Sequence, residues 1–159
     1  MKGDSKVIEF LNRALKMELT VINQFYLHAK MYKNWGLTKL GDIEYHESLE
    51  EMKHADKIID RILLLEGVPN LQDLGKLMIG QDVPEMLASD LKQEHLARSL
   101  YVEGIAHCEK CQDYVTRDLF SGILNGEEDH IDYLETQLEL IDKIGLKNYL
   151  QSAAYDMSE

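Results

Sequence analysis

Proline occurs only twice in the 159 residues, at Pro69 and Pro84, so nearly the whole chain is free to run in unbroken helices. The apolar spacing says that it does. Over residues 6–34, Leu11, Leu15, Ile22, Phe25 and Ala29 keep the three-and-four spacing of one helical face, and Trp35-Gly36 ends it. A second helix is expected over 39–66, with Ala55, Ile58, Ile62 and Leu65 as its stripe and Gly67-Val68-Pro69 as its stop. The third starts where Asp82 can cap, Pro84 suits a first turn and Glu85 completes a capping-box-like spacing; its stripe is Leu87, Leu91, Tyr101, Ile105 and Cys108. The fourth covers 113–144, through Phe120, Leu124, Ile131, Leu134, Leu138 and Ile141, and Gly145 closes it before a short terminal helix over 146–151. Asn125-Gly126 ordinarily signals a turn. Phe120, Leu134 and Ile141 nevertheless keep one helical phase across it, which favours a single continuous helix.

Short links join the first helix to the second and the third to the fourth, so each pair should be antiparallel. The connection over 67–82 is different. A helix of about 27 residues is about 40 Å long, and an extended segment of this length reaches about 50 Å. It can run the length of a bundle and set the second and third helices parallel. The expected fold is all-α, a single domain over 1–159. It is a ferritin-like four-helix bundle with one long crossover and a short C-terminal fifth helix.

Asp and Glu number 29 against 17 Lys and Arg, for a net charge of −12, while 45% of residues are hydrophobic. That balance describes a globular acidic domain and lacks the basic footprint of a nucleic-acid binder. Two cysteines cannot build a disulfide framework. The N-terminal residues lack the apolar core of a signal peptide, and the longest aliphatic run, Ile62-Leu63-Leu64-Leu65, is far short of a membrane span. A cytoplasmic protein with neither nucleic-acid nor membrane partners is expected.

Glutamates stand inside the apolar stripes where leucines would serve a core better. Glu18 lies between Leu11 and Phe25, Glu94 between Leu87 and Tyr101, Glu127 between Phe120 and Leu134, and Glu51 between Glu44 and Ile58. In an antiparallel bundle these four positions converge at one level. Burying carboxylates costs several kcal/mol per ion unless their charge is compensated, and no core-facing Lys or Arg stands beside them. Glu51-Met52-Lys53-His54 and Glu127-Glu128-Asp129-His130 are both Glu-x-x-His, which puts two metal ligands on one helix face. Taken alone that motif is weak, but its placement is not. Glu18 and Glu51 are 33 residues apart, as are Glu94 and Glu127, and the whole set including His54 and His130 repeats at an offset of 76. Two copies of one metal-binding half follow, related by an approximate two-fold. Four carboxylates balance two divalent cations, and one imidazole with mostly oxygen ligands per metal suits iron or manganese, with zinc as competitor.

The chain then resembles bacterioferritin from end to end. The resemblance lies in Met1-Lys2-Gly3-Asp4, Glu44-Tyr45-His46-Glu47-Ser48, Met52-Lys53-His54-Ala55-Asp56, Glu66-Gly67, the run from Pro69 to Lys76, and Asn148-Tyr149-Leu150-Gln151. It implies a di-iron ferroxidase centre in which Glu18 and His54 hold one iron, Glu94 and His130 the other, and Glu51 and Glu127 bridge. It also implies iron storage as ferric mineral in a homo-oligomeric cage of 24 subunits. Haem b would lie between paired subunits, a second bacterioferritin subunit is an open alternative, and a small ferredoxin-type protein would donate electrons for release. An extra apolar face on the second helix (Tyr45, Leu49, Met52, Ile59, Leu63), joined by Leu19 and Tyr26 of the first, predicts burial against another chain. In the resemblance Met52 is the axial haem ligand; interface packing is the plainer fate of such a methionine.

Two positions depart from the usual pattern. Family members commonly carry tyrosine then phenylalanine after Asn-Gln, and here the order is Phe25-Tyr26. Phe25 falls on the Glu18 stripe where a tyrosine would be redox-active, and the expectation is that electron delivery from a nearby tyrosine is missing or rerouted. Glu50 follows His46 where some members have aspartate, which makes His46 and Glu50 a candidate inner-surface iron site or else a solvated helix edge. His28, His95 and His107 lack a paired ligand at metal spacing and read as packing or surface residues; Cys108 and Cys111 read as packing. A rubrerythrin-type oxidase lacks its cysteine quartet here, the net charge disfavours a DNA-protecting mini-ferritin, and a haem carrier with a vestigial metal site conflicts with six intact ligands.

Overall fold

The computed structural model describes residues 1–154, so the last five residues of the expected 1–159 domain lie outside the described residues. Five helices make up the fold: α1 Ser5–Asn34, α2 Thr38–Leu64, α3 Val83–Cys111, α4 Tyr114–Ile144 and α5 Leu146–Ala153. Each long helix starts or stops for a local reason. The Asp4 carboxylate accepts the backbone N–H groups of Lys6 and Val7, Asp82 accepts that of Glu85, and Asp113 accepts that of Thr116. Gly36 takes φ +81°, the left-handed conformation that turns α1 into α2. The second helix ends two residues earlier than its sequence suggests. Glu66 itself adopts φ 63°, which halts α2, and the Gly67 N–H returns to the Ile62 carbonyl. Helix α4 passes unbroken through Asn125-Gly126.

The crossover, residues 65–82, contains no regular structure, and its backbone is hydrogen-bonded instead to a row of α1 side chains. Asn12 bonds the Val68 carbonyl and the Asn70 N–H, Thr20 Oγ1 accepts from Gly75, Gln24 Oε1 from Met78 and His28 Nε2 from Gly80. Both series rise together, so the crossover travels along α1 in α1's own direction. It delivers the start of α3 to the far end, which makes α3 antiparallel to α1 and parallel to α2.

Helix α1 packs on α2 and on α3, and α3 packs on α4. The apolar core falls into two parts. One joins Phe10, Leu11, Leu15, Ile58, Ile62, Tyr101 and Phe120; the other joins Tyr32, Leu40, Met86, Leu87, Leu134 and Tyr149, with α5 closing that end. The buried acids occupy the level between them.

Candidate metal centre

The repeat of Glu and Glu-x-x-His every 33 and 76 residues becomes a single constellation. Glu18 on α1, Glu51 on α2, Glu94 on α3 and Glu127 on α4 are 1%, 2%, 0% and 1% exposed, and His130 is buried beside them. His54 Nδ1 lies 3.0 Å from Glu51 Oε2, 3.4 Å from Glu127 Oε1 and 3.6 Å from Glu18 Oε2. His130 Nδ1 lies 3.4 Å from Glu94 Oε2 and 3.8 Å from Glu47 Oε2. Glu51 belongs to both groups, being within ligand reach of Glu18 and His54 on one side and of Glu47 and His130 on the other. All six residues singled out by spacing therefore meet. Glu47, on the outer edge, is an addition that helix spacing alone did not mark.

Among the described residues, the positive charge available inside this box comes from the imidazoles of His54 and His130. Glu18 Oε2, both oxygens of Glu94, both oxygens of Glu127 and both ring nitrogens of His130 are buried without a hydrogen-bond partner. Orphaned acceptors at this density suit divalent cations with oxygen and nitrogen ligands. Burial and then the neighbouring carboxylates push Glu51 and Glu94 well above the usual carboxylate range. Burial works against a charged His54, but the carboxylates of Glu127, Glu18 and Glu51 around it outweigh that and push the imidazole up to about 12. Burial also acts upward on Glu127, yet its close neighbours Glu94 and His54 hold it below its ordinary value.

A cavity of about 300 Å³ opens onto the box, with Glu47, Glu50 and Asp129 at its mouth and Glu51, His54 and His130 at its floor. Acidic groups at an entrance attract cations. Two aromatic rings frame the inner wall. Phe25 meets the His130 ring edge-on at 5.3 Å, and the Tyr101 hydroxyl, fully buried, donates to Glu18 Oε1. Tyr101 stands 76 residues after Phe25, so the internal two-fold pairs a tyrosine at Glu18 with a phenylalanine at Glu94. Tyr26 points away and is half exposed against Tyr45.

The remaining candidates divide. His46 Nε2 is 3.5 Å from Glu50 Oε1, but Lys53 Nζ holds the same oxygen at 2.7 Å, and both His46 and Lys53 are solvent-exposed. Met52 is 57% exposed amid exposed Tyr45, Leu49, Leu63 and Tyr26, as an apolar face awaiting a partner requires. His95 is a surface residue 3.8 Å from Glu135. His28 is not simple packing. It accepts the Gly80 N–H at Nε2, so its proton sits on Nδ1 and is donated to Asp90 at 2.8 Å, beside buried Glu44 and Gln24. His107 likewise meets Asp4. Partners on other helices are invisible to spacing along one helix, which is why both histidines look unpaired in sequence. Cys108 is fully buried, as its stripe position requires.

The family model of the ferritin-like domain matches residues 8–144. The bacterioferritin of Brucella melitensis biotype 1 is 51% identical over the full length of both chains, and that of Rhodobacter capsulatus is 48% identical over the same span. The bacterioferritin of Mycolicibacterium paratuberculosis is 49% identical over 94% of each chain.

Proposed function

The chain belongs to the bacterioferritin family, and from that membership we propose that it stores iron and acts as a ferroxidase at the box of Glu18, Glu51, His54, Glu94, Glu127 and His130. Fe(II) is its substrate. Two ions enter past Glu47, Glu50 and Asp129. Glu18 with His54 and Glu94 with His130 each hold one, and Glu51 and Glu127, which lie between the two groups, bridge them. O2 or H2O2 accepts one electron from each Fe(II), and ferric product passes to a mineral store inside a homo-oligomeric cage, for which we propose the 24 subunits of the family. The observation that carries this reading is four carboxylates buried together with orphaned oxygens and no Lys or Arg among them.

The chain's own groups do defined work. Glu51, Glu94 and His54 give up protons as the cations arrive, and those protons are available to the reduced oxygen species. Carboxylates with one imidazole per metal leave coordination positions open for the oxidant. Anaerobic Fe(II) titration should saturate near two per chain and lose that stoichiometry in Glu51→Ala or Glu127→Ala; unaltered binding in either would overturn the assignment.

Haem b is part of the family's equipment, and the residues present fit one half of a haem pocket: a solvent-presented thioether at Met52 in an apolar strip of Tyr26, Tyr45, Leu49 and Leu63. A two-fold mate would supply the second half. When bound, haem supplies a one-electron route for releasing stored iron, with a small ferredoxin-type protein as donor. His46 and Glu50 are retained as an accessory iron site on the inner surface, reached by displacing Lys53 from the shared carboxylate.

A further inference from the structure

A second cluster of metal-ligating side chains lies away from the carboxylate box, where the start of α1 meets the end of α3. Asp4 caps α1, and His107 and Cys111 stand four residues apart on the last turns of α3, on one helix face. His107 Nε2 is 3.0 Å from Asp4 Oδ1, and one ligand atom from each of the three residues lies within 4.8 Å of the others.

Each group has an atom to offer. Asp4 Oδ1 takes the N–H groups of Lys6 and Val7 and the His107 ring, so all of these bonds end on one oxygen and Oδ2 is open. Cys111 is in no disulfide, and its thiol makes a long contact to the Cys108 carbonyl at 3.7 Å. Cys108 takes no part: it is fully buried, and burial pushes its thiol up to about 12. The cluster is also no copy of the box. The positions related by the 76-residue repeat are Gly80, Met31 and Trp35, none of them a comparable donor set.

One thiolate, one imidazole and one carboxylate make a borderline-soft donor set, unlike the sulfur-free box, and suit a tetrahedral cation with water as fourth ligand. Ligand atoms within 4.8 Å of one another are close enough to converge on one cation at Zn–S near about 2.3 Å and Zn–N near about 2.0 Å. We propose that Asp4, His107 and Cys111 bind a zinc-class divalent cation, stapling the cap of α1 to the end of α3. Binding forms a metal–sulfur bond and releases the Cys111 thiol proton to solvent, with no change in oxidation state.

Co2+ is the probe, added to the reduced, assembled full-length protein. Thiolate-to-cobalt charge transfer gives a near-ultraviolet band that carboxylates and imidazoles cannot produce, so iron-box occupancy does not interfere. The band should plateau at the intensity of one cobalt–thiolate bond per chain, be displaced by Zn2+, persist in Cys108→Ala, vanish in Cys111→Ser and need about tenfold or more Co2+ in His107→Ala. No band at millimolar Co2+, a band that survives Cys111→Ser, or an unchanged titration in His107→Ala overturns the proposal. Should a variant fail to assemble, alkylation of the parent decides: Zn2+ should slow iodoacetamide labelling of Cys111 mapped by mass spectrometry, and an unchanged rate overturns it.

Discussion

Tyr101 donates its buried hydroxyl to Glu18, whereas its counterpart in the internal repeat, Phe25, can donate nothing to Glu94. The two halves of the centre are therefore chemically unequal although their ligands repeat. Tyr101→Phe leaves a buried carboxylate oxygen without its donor and should destabilise the metal-free protein by about 1–3 kcal/mol, measured by urea unfolding. The same variant loosens Glu18, so the weakening of Fe(II) binding should fall on one of two calorimetric steps. Equal weakening of both steps would contradict the inequality.

Phe25→Tyr adds a hydroxyl to the ring that meets His130 edge-on. The rate at which oxygen is consumed by the loaded centre should change in this variant. Kinetics identical to the parent would argue that a tyrosine at this place has no part in electron delivery.

Iron binding should strengthen as pH rises. Glu51 and Glu94 titrate well above the usual carboxylate range, and His54 is pushed up to about 12, so near neutrality the metal-free box carries protons that two cations must expel. The sign follows from competition: lowering pH favours the protonated, empty box. Anaerobic titration in a pH-stat should record release of more than one proton per pair of ions. A pH-independent affinity between pH 6 and 8 would show that protons do not hold the empty box together.

Met52→Leu keeps the apolar area of the α2 face and removes its sulfur. The variant should assemble like the parent by gel filtration and lose the haem Soret band. Retention of that band at parental intensity would assign Met52 to packing alone.

The bundle was legible because helical periodicity records which face is buried, and an acid on a buried face is an exception that a sequence displays openly. Glu18, Glu51, Glu94 and Glu127 were found that way, and the two repeats placed His54 and His130 with them. Contacts that join helices left no such trace. His28 reaching Gly80 and Asp90, Tyr101 reaching Glu18 and Asp4 reaching His107 depend on how helices are set against each other. The end of α2 is hidden in the sequence for a related reason: Glu66 accepts a left-handed backbone that residue type alone would assign to Gly67.

The row of Asn12, Thr20, Gln24 and His28 along α1 bears on the order in which the chain assembles. The crossover has no ladder of its own, and its backbone groups at Val68, Asn70, Gly75, Met78 and Gly80 are satisfied by side chains of a wound α1. Helices α1 and α2 are near neighbours in sequence, so their hairpin is expected to form first and the crossover to close along it afterwards. Only after the last rung, at Gly80, is α3 aimed back along the hairpin with Glu94 at the height of Glu18. On that order the centre is expected to form late, once α3 and α4 bring Glu94 and Glu127 to Glu18 and Glu51.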